Sequence, residues 1–315
     1  MEGILLYIVG VLTLGGIYAI LTLGLNANWG FTGLLNIGIA GFFATGAYTS
    51  AILTSPDSAL YLGGFGLPIW LGWVASMLTA GIIAWPIGKI CLRLRSDYLA
   101  IATIGIAELL RLVYRNEAWM TGGSRGITPI PRPFDGWDPI LAQFLFLLVV
   151  ALVVLAVYLA LERAATSPWG RMMRAVRDNE LAANAMGKDI EARRLEAFVL
   201  GCMIMGLGGA VMSSYLKFFG PDATDPLLAT FLVWLMLILG GSGNNRGAVL
   251  GAILVWFIWS GTEIVTGFLP DVLASRAAYL RVFLIGLLLQ LVLRFRPEGL
   301  LPEPLHGRKS GRSAG

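Results

Sequence analysis

Four polar side chains lie within long apolar stretches of the sequence, where each of them needs a partner. Asn26, Asn28 and Asn36 belong to the glycine-rich stretch GLNANWGFTGLLNIGIAGFFATG, and Glu108 belongs to ATIGIAELLRLV. Amides at membrane depth require other helices or a wet cavity to satisfy them, and a carboxylate there is costly enough to suggest a function. We predict that these four groups line the path of a polar solute. For the amides, helix packing through interhelical hydrogen bonds is the alternative.

Glu108 has an alternative of its own, because Arg111 follows it by three positions. In a helix the two side chains share one face and can form an ion pair. The sequence leaves open whether the Glu108 carboxylate contacts a solute or only closes a salt bridge near the outer membrane face.

Residue sets that indicate catalysis or metal binding are missing from the sequence. It holds one His and two Cys, and it has no H-E-x-x-H motif, nucleophile elbow or paired-carboxylate motif. The stretch IGK at 87–89 lacks the leading glycine of a phosphate-binding loop and cannot cradle ATP phosphates by that route. We therefore expect no enzyme activity, cofactor or metal site in this chain. Any ATP-driven work has to be done by another polypeptide.

One long charged stretch interrupts the apolar sequence: SPWGRMMRAVRDNELAANAMGKDIEARRLE, at 167–196. Ser167 is a good helix N-cap, Pro168 suits the first turn, and Gly187 supplies a left-handed stop. The residues between them are amphipathic in patches, with a bend predicted near Asp178. Such a short, capped helix beside a membrane can seat in a groove of a soluble partner. A solvated loop between two helices is the alternative.

The composition is that of a membrane protein. The 315 residues are 57% hydrophobic and 13% charged, with a mean hydropathy of +0.76, whereas a soluble domain carries about a quarter charged residues. The net charge of +4 is interpreted as a property of inner loops and not as a nucleic-acid signature. The first apolar run lacks a basic leader and a small-residue cleavage site, so we predict a first spanning helix there and no removed signal peptide.

Nine apolar runs are long enough, or nearly so, to cross a bilayer core that takes about 20 residues of helix. They fall at 4–25, 31–53, 68–90, 98–113, 141–161, 197–216, 223–240, 247–269 and 280–294. We predict a single all-α polytopic membrane domain over 1–315 with about nine transmembrane helices, some of them broken or short. Glycine-rich interruptions at 24–46 and 240–251 lie in opposite halves of the chain, which is typical of transporters with broken helices around a midplane site.

The distribution of positive charge predicts the orientation. Of the 23 Lys and Arg residues, 16 fall on one set of alternate loops and 7 on the other. Because inner loops carry the excess of positive charge, the loop 162–196 and the tail 295–315 are predicted to be cytoplasmic. The loop 114–140 is then on the outer side.

Several stretches, in this order along the chain, resemble the LivM-type permeases of bacterial branched-chain amino acid ABC importers. They are GLNANWGFTGLLNIGIAGFFATGAYTSAIL (24–53), LRLRSDYLAIATIGIAELLRLV (92–113), TGGSRGI (121–127), SPWGRMMRAVRDNELAANAMG (167–187), LGGSGNNRGAVLGA (239–252) and FRPEGL (295–300). The resemblance covers nearly the whole chain. It implies a multi-pass permease of the bacterial inner membrane.

The same resemblance implies partners and assigns a coupling helix. The expected partners are a LivH-like permease subunit forming a heterodimer, two cytoplasmic ATPase subunits, a periplasmic solute-binding protein and the lipid bilayer, with no nucleic acid. The segment 167–187 is implied to be the coupling helix that fits a cleft of the ATPase. The residues expected to take part in this coupling are Arg171, Arg174, Arg177, Asn179, Glu180, Leu181, Ala182, Met186 and Gly187.

The function implied by the resemblance is import of branched-chain or related amino acids, driven by ATP hydrolysis on separate subunits. Ile39 departs from many relatives, which carry a polar His or Gln there, and the wider family also handles urea, short amides and aromatic-acid-like solutes. The substrate therefore stays open. The alternative is a secondary transporter or channel for a small polar solute such as urea or a short amide. It shares the broken helices but gives no reason for a capped, charged cytoplasmic helix.

Overall fold

The structure, a computed structural model, describes residues 2–58, 61–94, 96–187, 189–267 and 277–303. Within these ranges the chain folds into α-helices joined or extended by short 3-10 and π-helical turns. This part of the chain forms no strand beyond one isolated antiparallel bridge between Ile127 and Phe219. The all-α fold class is confirmed. The end of the predicted tail, residues 304–315, lies outside the described ranges.

The helices are numbered in chain order. They are α1 Glu2–Leu25, α2 Ile39–Thr54, α3 Ile69–Cys91, α4 Ser96–Asn116, α5 Ala118–Thr121, α6 Pro139–Thr166, α7 Pro168–Asp178, α8 Glu180–Ala185, α9 Ile190–Leu216, α10 Leu232–Gly240, α11 Asn245–Gly267 and α12 Ala277–Phe295. A π-helical turn over Asn26–Gly30 extends α1, and another over Leu227–Phe231 precedes α10.

Several helices have the length and composition of membrane spans. Within the described chain, four stretches are long and apolar enough to cross a membrane: Gly3–Gly30, Ile69–Cys91, Pro139–Thr166 and Ile190–Leu216. Shorter apolar helices cover Ile39–Thr54, Leu227–Gly240 and Val282–Phe295. The chain is therefore a multi-pass membrane protein. The number of about nine spans stays a prediction.

The apolar run 31–53, predicted as one span, is divided in the structure. The backbone is not helical over 33–38, and α2 begins only at Ile39. Gly33 has a left-handed φ of +69°. The Oδ1 atom of Asn36 accepts a hydrogen bond of 2.9 Å from the N–H two residues later, and such a local side-chain bond competes with helix formation. The predicted span was too long at its start, whereas the prediction of a broken segment is confirmed.

The segment before α10 is interrupted in a similar way. A 3-10 turn covers Pro221–Thr224 and a π turn covers Leu227–Phe231, so the predicted span 223–240 becomes regular α-helix only at Leu232. The 3-10 turn packs against α2 and α4, and the π turn packs against α2, the helix that begins where the first break ends. The two interrupted segments therefore lie in one region of the bundle.

Helices α2 and α9 form the centre of the bundle, with α1 and α3 packed beside them. Glycines allow this close approach. A Cβ atom at Gly46 of α2 would lie on the carbonyl oxygen of Gly206 in α9, and one at Gly209 would lie on that of Phe43. Close contact between small residues is a main source of helix association in lipid. The outward faces of α3, α4 and α6 instead expose large apolar side chains such as Ile82, as a lipid-facing or subunit-facing surface requires.

Candidate functional site

The charged segment folds as two short helices that meet at Asn179. Helix α7 begins after Ser167, whose Oγ accepts a hydrogen bond of 3.4 Å from the N–H three residues later, with Pro168 in the first turn. Asn179 is extended, with φ −155° and ψ 95°, and its Oδ1 accepts a bond of 3.0 Å from the N–H of Ala182 to cap α8. Gly187 has a left-handed φ of +72° beyond α8. The predicted caps and bend are confirmed, and the bend is a complete helix break.

One face of this pair of helices is attached to the bundle. Val176, Ala183 and Ile190 are buried together in a small apolar cluster. The Glu180 carboxylate lies 3.0 Å from the guanidinium of Arg194 in α9. These contacts hold α7 and α8 against the start of α9, so the segment is an ordered element and not a loose loop.

Two large apolar side chains near the end of this segment are exposed. Leu181 is 83% exposed and Met186 is 77% exposed, and the predicted coupling residues Arg171, Ala182 and Gly187 are also exposed. Large apolar groups that are exposed on an ordered segment outside the bundle are candidates for contact with a partner. Leu181 and Met186, two exposed apolar side chains five positions apart, are together called the α8 apolar patch below.

Arg177 points the other way, into the protein. Its Nη1 donates to the carbonyl oxygen of Gly30 in the π turn after α1. Its Nη2 lies 2.8 Å from Glu303 and its Nε 3.1 Å from Asp178. Burial disfavours the charge of Arg177, but the hydrogen bonds and charges of Glu303 and Asp178 outweigh it and raise the pKa of Arg177 above its ordinary value. Arg174 is half-buried. The predicted coupling residues thus face in two directions.

Two of the three amides hold the broken segments in place. Asn26 accepts a bond of 2.8 Å from the N–H of Gly243 and donates one of 2.9 Å to the Oδ1 of Asn245. Asn36, besides its bond within the break, places its Nδ2 3.7 Å from the Sγ of Cys202. Both side chains are fully buried. Their partners lie more than 150 residues away in the sequence, so the amides join the breaks to α9 and to the α10–α11 turn.

Asn28 is different, because it has no such partner. Its side chain is fully buried against Gly201 of α9. Neither its Oδ1 nor its Nδ2 makes a hydrogen bond of ordinary geometry, and its polar neighbour is the thiol of Cys202. A buried polar group without a partner costs about 1–3 kcal/mol. Asn28 is therefore the amide whose environment favours rearrangement or contact with a polar solute.

Glu108 and Arg111 form the predicted ion pair on α4. Two bonds of 2.7 and 3.0 Å join the carboxylate to the guanidinium, and both side chains are partly exposed. The pair borders a small cavity of about 70 Å³ between the two interrupted segments. The cavity is lined by Ile37, Ala40, Ile104, Ala107, Glu108, Arg111, Thr224, Pro226, Thr230 and Phe231. An ion pair beside apolar walls can meet a solute that carries both charges and an apolar group.

A larger cavity of about 680 Å³ lies beside the coupling segment. Gly33 and Leu34 of the first break line it together with Glu180 and Arg194, and with further charged residues of both signs. The cavity therefore connects the surroundings of the first break with the coupling segment.

Sequence reasoning missed several residues of this region. Thr224 and Thr230 beside the ion pair, and Glu303 beside Arg177, could not be placed because their contacts depend on tertiary structure. The stretch FRPEGL at 295–300 does carry a local signal: its proline and glycine indicate a defined turn just before Glu303. Nothing in that stretch identifies Arg177 as the partner.

Apolar helices interrupted at two neighbouring places, together with an ordered charged segment outside the bundle, define an α-helical membrane protein of the transporter class. The chain belongs to the family described as the permease component of branched-chain amino acid transport systems, whose profile matches residues 7–293. Its match covers nearly all of the described structure, including both interrupted segments.

Individual relatives agree with this assignment. The chain is 31% identical to the high-affinity branched-chain amino acid transport system permease protein LivM of Escherichia coli, over 98% of this chain and 73% of the relative. It is 28% identical to a probable LivM of Methanocaldococcus jannaschii, with 91% of each chain covered. It is 22% identical to the E. coli permease protein LivH, over 77% of this chain and 80% of the relative. No solved structure matches.

Proposed function

We propose that this chain is the permease subunit of an ATP-binding-cassette importer for branched-chain or related amino acids. Separate cytoplasmic subunits hydrolyse ATP, and a LivH-like subunit completes the membrane part. The observation that carries the proposal is the α8 apolar patch, exposed on an ordered, capped segment in a chain of the permease family. Relatives named LivM and LivH support a pairing of two permease subunits.

The proposed topology follows the positive-inside rule. About nine spans in the inner membrane place the loop 162–196 and the tail 295–315 in the cytoplasm, and the loop 114–140 on the periplasmic side. The pairing of Ile127 with Phe219 just beyond α9 fixes part of this outer loop, which supports its use as a docking surface for a solute-binding protein. The loop starts later than predicted, because α4 continues to Asn116.

The proposed mechanism is a rigid-body movement driven through α7 and α8. ATP binding closes the ATPase dimer, which moves the α8 apolar patch and tilts the helices on either side of it, α6 and α9. Two conformations with different contacts to each ligand are all that such a change needs. Solute released by the binding protein passes the cavity at Glu108, the break that contains Asn36 and the π turn that contains Asn28. Asn26 holds that π turn in place.

The competing proposal is a secondary transporter or channel for a small polar solute. The exposed Leu181 and Met186 disfavour it, because a transporter that works alone has no use for an apolar patch outside the membrane. Purification of the tagged chain from its native membrane separates the two proposals. An importer subunit carries ATPase subunits with it, whereas a secondary transporter does not.

The proposed solute path predicts an effect of Glu108→Gln. The change keeps the size of the side chain and removes its charge, so Arg111 loses its ion pair and a positively charged amino group loses its attraction. We expect ATP-driven uptake of leucine to fall about tenfold, the factor that corresponds to roughly 1.4 kcal/mol. Amounts of assembled complex should not change.

Asp97→Asn is the matched control, since Asp97 is an exposed carboxylate in the first turn of the same helix and does not line the cavity beside Glu108. It should leave uptake unaltered. If Glu108→Gln also transports at the wild-type rate, the pair is only structural and the path lies elsewhere.

A further inference from the structure

The chain after α12 folds back over the end of the α10–α11 pair. The N–H of Leu300 donates to the carbonyl of Leu239 at 2.8 Å, and the N–H of Leu301 donates to that of Gly240 at 3.0 Å. The Nδ2 of Asn244 donates to the carbonyl oxygens of Leu301 and of the following proline. Residues 296–303, called the C-terminal strap below, are therefore fixed to the turn between α10 and α11.

Two glycines set the position of the C-terminal strap. Gly299 has φ +78° and Gly241 has φ +113°, conformations that side chains with a Cβ rarely adopt. A Cβ at Gly299 would lie 2.5 Å from the Cα of Gly241. The two backbones are in contact at this point, so the strap can align with the α10–α11 turn in only one way. Glu303, the last described residue of the strap, therefore has a fixed position.

Glu303 lies between the α10–α11 turn and the coupling segment. A Cβ at Gly243 in the turn would come within 2.9 Å of the Glu303 carboxyl carbon. On its other side, the Oε2 of Glu303 is 2.8 Å from the Nη2 of Arg177. The side chains are 26% and 23% exposed, so this charge pair is shielded from water and less screened than a surface pair.

The guanidinium of Arg177 has a second, geometrically separate contact. Its Nη1 donates to the carbonyl oxygen of Gly30, the last residue of the π turn that extends α1. A planar guanidinium presents several donors in a fixed arrangement, so Glu303 on one side orients the group towards Gly30 on the other. Asp178 competes for Arg177, but its side chain is 67% exposed and would draw the guanidinium towards solvent.

The same π turn is tied to α6 by hydrogen bonds. Asn26, its first residue, bonds to Gly243 and Asn245, and the Nδ2 of Asn245 donates at 3.0 Å to Glu162 near the end of α6. The π turn is thus held by the strap and Arg177 at Gly30, and by the α10–α11 turn and α6 at Asn26.

We propose that Glu303 is a positioning residue for energy coupling: it holds Arg177 on the Gly30 carbonyl, so that movement of α7 displaces the π turn of α1. This inference rests on the proposed function, because it takes α7 and α8 as the segment that the ATPase moves. Arg177 then acts inside the permease and not as a contact to the ATPase. The turn it moves contains Asn28, whose buried amide makes no hydrogen bond of ordinary geometry.

The first test is Glu303→Gln in the complete complex, reconstituted in vesicles with its ATPase and binding protein. Gln has the size of Glu and keeps a hydrogen-bonding oxygen, but it lacks the charge that outcompetes Asp178. We expect leucine uptake per assembled complex to fall about tenfold, since a hydrogen bond to a charged group contributes on that order. ATP hydrolysis should fall less, so more ATP is consumed per leucine transported.

Glu298→Gln is the matched control, because Glu298 lies in the same strap with an exposed side chain. It should change neither uptake nor the ratio of ATP to leucine. A purely structural role of Glu303 would lower the amount of complex and leave that ratio unchanged, and this result would overturn the inference. Equal behaviour of Glu303→Gln and Glu298→Gln would overturn it too.

A double-mutant cycle with Arg177→Gln tests whether the two residues act as a unit. If Glu303 works only through Arg177, the double variant transports no more slowly than Arg177→Gln alone. If the transport rate of the double variant instead falls by the product of the two single losses, the inference is overturned. These outcomes differ from failure of the proposed function, which would show in the wild-type complex as uptake that does not depend on ATP.

Discussion

Replacing Leu181 and Met186 together by Asp is expected to abolish ATP-driven uptake and to release the ATPase subunits from the purified permease. The two side chains are 83% and 77% exposed, so their removal costs the isolated chain little. In the complex they would be buried in a cleft, where each apolar anchor contributes about 2 kcal/mol or more, and two buried carboxylates without partners add a further penalty. Copurification of the ATPase and uptake by reconstituted vesicles are the two measurements.

The matched control is the pair Leu181→Met and Met186→Leu, which keeps the apolar area at both positions. This variant should bind ATPase and transport at nearly the wild-type rate. Retention of the ATPase by the Asp variant would contradict the docking role of the α8 apolar patch. Loss of the ATPase by both variants would show that shape at these positions matters more than apolar character.

The largest expected effect on folding comes from Gly46→Ala. The added methyl group would lie on the carbonyl oxygen of Gly206 in α9, so α2 and α9 have to separate. Overpacking in a tight core costs about 1–3 kcal/mol and occasionally more, and loss of the central helix contact places this change at the upper end. We expect little or no folded subunit in the membrane fraction, measured by detergent extraction and size-exclusion chromatography of the chain expressed on its own.

Gly105→Ala is the control for that experiment. Gly105 lies in α4 and a Cβ there meets nothing within 4 Å, so alanine should be neutral or stabilise the helix by up to about 1 kcal/mol. Normal yield of the Gly46 variant would mean that α2 and α9 are not in the close contact described here.

The parts of the site that sequence could predict are those with local causes. Ser167, Asn179 and Gly187 limit α7 and α8 through contacts within three or four residues, and such contacts follow from residue type and spacing. The pairing of Glu108 with Arg111 is local in the same sense, because one helical turn joins them. Composition and apolar run length were enough for the all-α membrane fold.

The parts that could not be predicted depend on distant segments of the chain. Arg177 belongs to a charged amphipathic pattern that suggests a surface residue, yet Glu303, 126 positions later, draws it inward. The start of α2 was placed too early because apolar residues continue through 33–38, where Asn36 and Gly33 break the helix. The cavity at Glu108 exists only because a second interrupted segment packs beside the first.

The most direct test of the coupling surface is the accessibility of a thiol introduced by Leu181→Cys. The native Cys91 and Cys202 are buried, so a membrane-impermeant maleimide should report mainly on the new thiol. We expect labelling in inside-out vesicles stripped of ATPase, protection when the ATPase is added back, and no labelling of intact spheroplasts. Labelling from the outside, or labelling that the ATPase does not alter, would contradict the account.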